Sequence, residues 1–139
     1  MILTGAALQE AAEAALDPEP SPTDFGPTSV DVYPYIGEPH IVESGEHWVV
    51  AAKETIDVPK DIAILISGRS SHMRQGLFMP VGWLDPGFRS SRDEPLKLEF
   101  GNTSDGASLV EPDEPAARLT LFELADGTNG YQGRYGERR

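Results

Sequence analysis

Five apolar residues in a row, Ile62-Ala63-Ile64-Leu65-Ile66, run almost directly into a stretch of glycine, arginine and serine. A run this short, rich in β-branched side chains and ended by Ser67-Gly68, predicts a buried strand and not a helix. It delivers the chain into Gly68-Arg69-Ser70-Ser71-His72-Met73-Arg74-Gln75-Gly76-Leu77, followed closely by Gly82-Trp83-Leu84-Asp85-Pro86-Gly87-Phe88. Arginines and small hydroxyls suit phosphate oxygens, and the single carboxylate of Asp85 suits water activation. A polar loop on the end of a stiff strand is held in place by that strand. Fourteen glycines and twelve prolines punctuate the chain, which favours many short strands over long helices.

Read in order, residues 4–16 predict a helix, with Thr4 as a cap and an alanine-rich apolar stripe. Pro18, Pro20 and Pro22 end it and make residues 17–26 an extended linker. Val30-Asp31-Val32 predicts a short strand with Asp31 facing away from the valines; an acid inside a strand is either a surface residue or one with a task. Residues 40–43 and 47–52 predict a strand pair across Ser44-Gly45-Glu46. Pro59-Lys60-Asp61 predicts a turn. Arg89 to Glu94 predicts a hairpin tip before Leu96-Lys97-Leu98-Glu99-Phe100, where Leu96, Leu98 and Phe100 share one face and Lys97 and Glu99 the other. Residues 108–110 and 118–124 complete about nine or ten strands beside the one helix. The pattern argues for one all-β domain over residues 1–139, a barrel or jelly roll. Residues 125–139, which contain Tyr131, Gln132 and Arg134, have no periodicity and predict a flexible, phosphate-friendly closing arm.

The 23 acidic and 11 basic residues leave a formal charge of −12, the reverse of a duplex-binding surface, so no nucleic-acid partner is expected. The same imbalance suggests adaptation to high salt. Without cysteine there is no disulfide and no thiolate chemistry. His40, His47 and His72 are isolated, at no zinc-like spacing, and receive no role. No apolar run approaches 18 residues and no basic segment leads into an apolar one at the start, so the expectation is a cytoplasmic protein without a membrane partner.

Four segments in order resemble the dUTPase and dCTP deaminase superfamily, closest to its archaeal branch: Pro27-Thr28-Ser29-Val30-Asp31-Val32, Arg69-Ser70-Ser71-His72-Met73-Arg74-Gln75-Gly76-Leu77, Gly82-Trp83-Leu84-Asp85-Pro86-Gly87-Phe88 and Tyr131-Gln132-Gly133. The resemblance implies a distorted jelly roll of the β-clip type, a homotrimer with active sites at subunit interfaces, and a Mg²⁺-bound deoxynucleoside triphosphate. It implies that Arg69, Ser70, Ser71, Arg74 and Gly82 hold the nucleotide and its phosphates, that Tyr131, Gln132 and Arg134 close over it, and that Asp31 is a motif residue. Mg²⁺ would be held largely by the triphosphate, with no dedicated set of metal-ligating side chains.

Two chemistries occur in the superfamily. In dUTP hydrolysis, Asp85 would activate water for attack at the α-phosphorus, giving dUMP and diphosphate. In dCTP deamination, Glu99 in Leu98-Glu99-Phe100 would shuttle protons at the base. Between Leu77 and Gly82 stand only Phe78-Met79-Pro80-Val81, shorter than the deaminase link that forms part of a base pocket. Gly130 and Arg134 stand where many deaminase tails carry lysine and glutamine. Hydrolysis of dUTP is therefore the expectation, with deamination, alone or coupled, as the alternative. Arg118 stands where the fourth motif usually has glutamine; it could bind phosphate, or mark a nucleotide-binding regulator without turnover.

Overall fold

The structure, a computed structural model, describes residues 1–126, 128 and 130–133. Helix α1 spans Gly5–Ala15 and buries Leu8, Ala12 and Ala15, spaced four and three apart on one face. Thr4 stands at the N-cap in an extended conformation, but its side chain makes no capping bond. The strands follow: β1 (Leu16–Asp17), β2 (Val30–Val32), β3 (His40–Val42), β4 (His47–Ala51), β5 (Thr55–Ile56) and β6 (Ile62–Gly68). A single helical turn, α2 (Ser70–Arg74), separates β6 from β7 (Leu77–Phe78), which precedes β8 (Gly82–Leu84), β9 (Lys97–Asn102), β10 (Ser108–Val110) and β11 (Ala117–Glu123).

One four-stranded sheet runs β2-β11-β6-β8 and one three-stranded sheet runs β4-β9-β7; β10-β3 and β1-β5 form two-stranded ribbons. Every pairing among them is antiparallel. The period-2 alternation of strands sends Val30, Val32, Ile64, Ile66, Leu84, Leu119 and Leu121 inward from the larger sheet. Val50, Leu77, Leu98 and Phe100 enter the same core from the three-stranded sheet. The expected all-β architecture with one N-terminal helix is the one observed.

Several expectations need correction. Residues 17–26 are not simply an extended linker: Leu16–Asp17 pairs with β5, and Pro22–Asp24 forms a 3₁₀ turn closed by a capping box between Ser21 and Asp24. β3 and β4 flank a turn yet do not pair, because β3 joins β10 and β4 joins β9. The Arg89–Glu94 segment is likewise no hairpin tip, since β8 pairs with β6 and β9 with β4 and β7. The Ile62–Ile66 run is buried on one face only: Ile62, Ile64 and Ile66 point inward, while Ala63 and Leu65 are half-exposed on the outer face. There Leu65 lies opposite Trp83, and Trp83 rests on Phe122 with ring centroids 5.3 Å apart. Trp83 is 57% exposed on that face.

Candidate active site

The register of β6 places the two halves of the expected site. Leu84 is opposite Ile64, and Asp85 follows it where β8 ends, toward the start of β6. Arg69 follows Gly68 at the strand's other end. From Ala63 to Arg69 the strand covers about 20 Å at the usual rise per residue. Within one chain, Asp85 and Arg69 therefore stand far apart.

At the Arg69 end, Arg118 of β11 lies between Asp31 of β2 and Ser67 of β6. Directly opposed residues share a face, so the three form an outward row that Arg69 continues. The Arg69 guanidinium donates to the Pro115 carbonyl at 3.3 Å, but its Nε is buried without a partner, as is Nε of Arg118. Burial pushes the Asp31 carboxyl up, against the pull of Arg69 and Arg118. Two guanidiniums with unused donors beside one half-buried acid make a place where an anion's oxygens would be bound.

Helix α2 divides the serine-arginine motif between two faces. Ser70 and Arg74, four apart, are exposed. On the other side Arg69, Ser71, His72 and Gln75 line a cavity of about 540 Å³, completed by Leu109, Glu111, Glu114 and Pro115. His72, left without a role by its sequence position, is only 4% exposed; its ring meets Phe100 edge-on and its Nδ1 has no partner. Burial, aided by Arg69, lowers its pKa, with Glu114 opposing. Gly82 sits opposite Ile66, on the Arg69 half of the sheet. Met79 packs against Gly68, where an added Cβ would come within 3.1 Å of it; Phe78 and Val81 are exposed.

At the other end, Asp85 is exposed on a turn held by paired backbone bonds: Gly87 N–H donates to Val58 O at 2.8 Å, and Val58 N–H to Phe88 O at 2.9 Å. Tyr131 lies on this turn. Its N–H donates to Pro86 O and its ring stands edge-on to Phe88, centroids 6.1 Å apart. Gly87 (φ +86°) and Gly130 (φ +79°) allow this approach, since a Cβ on Gly87 would lie 3.0 Å from Tyr131 N and one on Gly130 3.2 Å from Pro86 O. Gln132 follows there, and Arg134 lies outside the described residues. Glu99 is in a third place, exposed on β9 opposite Val49 in the three-stranded sheet. The motif residues were visible in the sequence; the Glu111–Pro115 wall was not, because its acids look like ordinary turn residues.

The profile of the dCTP deaminase-like family matches residues 30–124. A protein of Kocuria rhizophila named "dCTP deaminase, dUMP-forming" is 30% identical over 88% of this chain and 67% of its own length. A protein of the same name from Nanoarchaeum equitans is 31% identical over 71% of this chain, and the match spans only about half of that relative, 49%. Among solved structures, a dUTPase from Streptococcus mutans superposes with a TM-score of 0.64 at 14% identity, over 92% of this chain and 98% of that one. A mutant dUTPase from the Staphylococcus aureus phage phi11, described with a structural Mg(II) ion, gives 0.63 at 15% identity over 99% of each chain. At such identities the structural likeness speaks for the fold, which is dUTPase-like. The match over most of the sheet framework, with the ordered motifs on it, makes this chain a member of the dCTP deaminase-like family within the dUTPase and dCTP deaminase superfamily.

Proposed function

We propose that the protein hydrolyses dUTP to dUMP and diphosphate at sites built between copies of the chain. The observation that carries this is the placement of an exposed carboxylate, Asp85, on a pinned turn about 20 Å of strand away from the guanidiniums it must work with. A second copy supplies the missing half. The outer face beside Asp85 suits such a contact: Leu65, Trp83 and Phe122, with the 42%-exposed Ile2 bridged to Phe122, form an apolar surface open to solvent. A homotrimer is the assembly that the family resemblance implies.

In the assembled site, Arg69, Ser70, Ser71, Arg74 and Arg118 hold phosphate oxygens and fix the chain of phosphates for in-line attack. Asp85 accepts a proton from water as the water oxygen bonds to the α-phosphorus. The bond from that phosphorus to the bridging oxygen breaks, and diphosphate leaves with the electron pair. Tyr131 and Gln132 start the closing arm beside the Asp85 turn, where it can exclude bulk water. The Arg69 and Arg118 guanidiniums, each with a buried, unpartnered Nε, would meet the phosphate oxygens of a substrate that carries magnesium, and Mg²⁺ takes few protein ligands. When bound, the ion would neutralise charge on the phosphate oxygens.

One observation favours hydrolysis over deamination. The link from β7 to β8 is three residues, with Met79 buried against Gly68, shorter than the link that forms part of the base pocket in deaminases. The second reading, dCTP deamination through Glu99, draws on the names of the curated relatives and on the exposed position of that carboxylate. Separate incubations with dUTP and dCTP in Mg²⁺, with products resolved by chromatography, decide between them. We expect dUMP and diphosphate from dUTP and unchanged dCTP; conversion of dCTP overturns the assignment. Asp85→Asn should lower kcat by about 10²–10⁴ while nucleotide binding persists, and Glu99→Gln should leave dUTP hydrolysis intact. Tight nucleotide binding with no turnover of any deoxynucleotide would instead mark a regulator.

A further inference from the structure

Asp85-Pro86-Gly87-Phe88 has the marks of a type II turn: proline second, glycine third at φ +86°, and the Phe88 N–H donating to the Asp85 carbonyl at 3.0 Å. Its central peptide joins Pro86 to Gly87 and is gripped at both ends. On one side the Gly87 N–H donates to the carbonyl of Val58, a buried residue of the framework, at 2.8 Å. On the other the Pro86 carbonyl accepts from the Tyr131 N–H. The C=O and N–H of a trans peptide point in opposite directions, so framework and arm hold the turn from opposite sides. The half-buried Tyr131 also sets its ring edge-on to Phe88, the last residue of the same turn.

The turn has an alternative. Aspartate in first position favours a type I turn, in which its carboxylate accepts from the N–H two residues on, here that of Gly87. Reaching that form flips the Pro86–Gly87 peptide, which swings the Pro86 oxygen away from Tyr131 and takes the Gly87 N–H from Val58. The flipped form spends the Asp85 carboxylate on its own backbone; the observed form leaves Asp85 exposed to water. Building on the hydrolysis reading above, we propose that Tyr131 is a positioning residue for Asp85. Its N–H and its ring hold the turn in the form that keeps the carboxylate available to the attacking water. Docking of the arm and readiness of the water activator are then one event on one chain.

The test compares the wild type with Tyr131→Pro, which removes the N–H. Gly130→Ala is a second route to the same end: Gly130 is at φ +79°, and a Cβ there would lie 3.2 Å from the Pro86 oxygen. We expect kcat for dUTP to fall about tenfold in each, the scale of one lost hydrogen bond. The Kd of a non-hydrolysable α,β-imido analogue of dUTP, read by calorimetry, should stay within about twofold. Hydrogen exchange at the Gly87 amide, followed by NMR, should quicken about tenfold as the flip releases it from Val58. The amides of Ile64 and Leu121 in the core should exchange as in the wild type. Tyr131→Phe, which keeps the ring, should recover most of the kcat that Tyr131→Ala loses. An unchanged kcat, or a kcat loss without faster Gly87 exchange, overturns the assignment. A Kd that weakens by the same factor as kcat also overturns it, by making Tyr131 a direct nucleotide contact. Wild-type protein that turns over no dUTP sinks the hydrolysis reading and this inference together; wild-type turnover with Gly87 exchange unmoved in the variants sinks this inference alone.

Discussion

At the scale of single residues, the most consequential polar groups outside the site are acids taken from water. Glu54 is 6% exposed, and its carboxylate accepts from the Tyr33 N–H at 3.0 and 3.3 Å. Burial raises its pKa, and the backbone bond opposes the shift only in part. A carboxyl that binds its proton more tightly folded than unfolded contributes stability below the unfolded value, about 4.3, and loses it as pH rises through the folded one. Glu54→Gln should therefore melt higher than wild type at pH 7, with the difference closing below about pH 4; a variant that melts lower at pH 7 refutes this. Asn102 is the opposite case, a buried side chain with its hydrogen bonds met. Its Nδ2 donates to Val42 O and Gly106 O at 2.8 and 2.9 Å, and its Oδ1 accepts from Ser104 N and Oγ. Neither burial could be read in the sequence, because it depends on backbone brought in from a distance, Tyr33 for Glu54 and Val42 for Asn102. The alternation of Leu96, Leu98 and Phe100 against Lys97 and Glu99 was legible, since period-2 patterning is local.

At the scale of elements, turns were easier to read than pairings. Glycine at Gly45 and the polar run after Phe88 announce that the chain reverses, but turn chemistry does not say which sheet the next strand joins. The helical turn α2 also left no periodic signal, being five residues long, so a segment expected as a loop presents two faces with different partners. Its far end depends on Gly76. The φ there is +88°, a Cβ would lie 2.6 Å from the Ser104 Cβ, and the Gly76 carbonyl accepts from Thr103 N–H at 2.8 Å. Gly76→Ala should cost about 2–4 kcal/mol from left-handed strain and overpacking, seen as a fall in Tm on the order of 10 °C. A Tm within a degree or two of wild type would show that this junction yields freely.

At the scale of the whole molecule, the motifs named candidate residues but not the distance that one chain keeps between them. That separation is a property of register: Asp85 follows Leu84, which is opposite Ile64, while Arg69 lies beyond Gly68, and no local pattern encodes which end of a strand a loop will reach. Its consequence is genetic. If the sites lie between copies, as proposed, chains that carry Asp85→Asn still contribute good guanidiniums, and chains that carry Arg69→Ala still contribute a good carboxylate. Two inactive alleles expressed in the same cell would then complement each other, because mixed assemblies contain junctions where an intact Asp85 meets an intact Arg69. Co-purified mixtures should regain dUTP hydrolysis that neither variant shows alone, and a mixture as inactive as its components would place both groups of each site on one chain. By the same logic a chain defective at both ends is a poison, since every assembly it enters loses the site on either side of it.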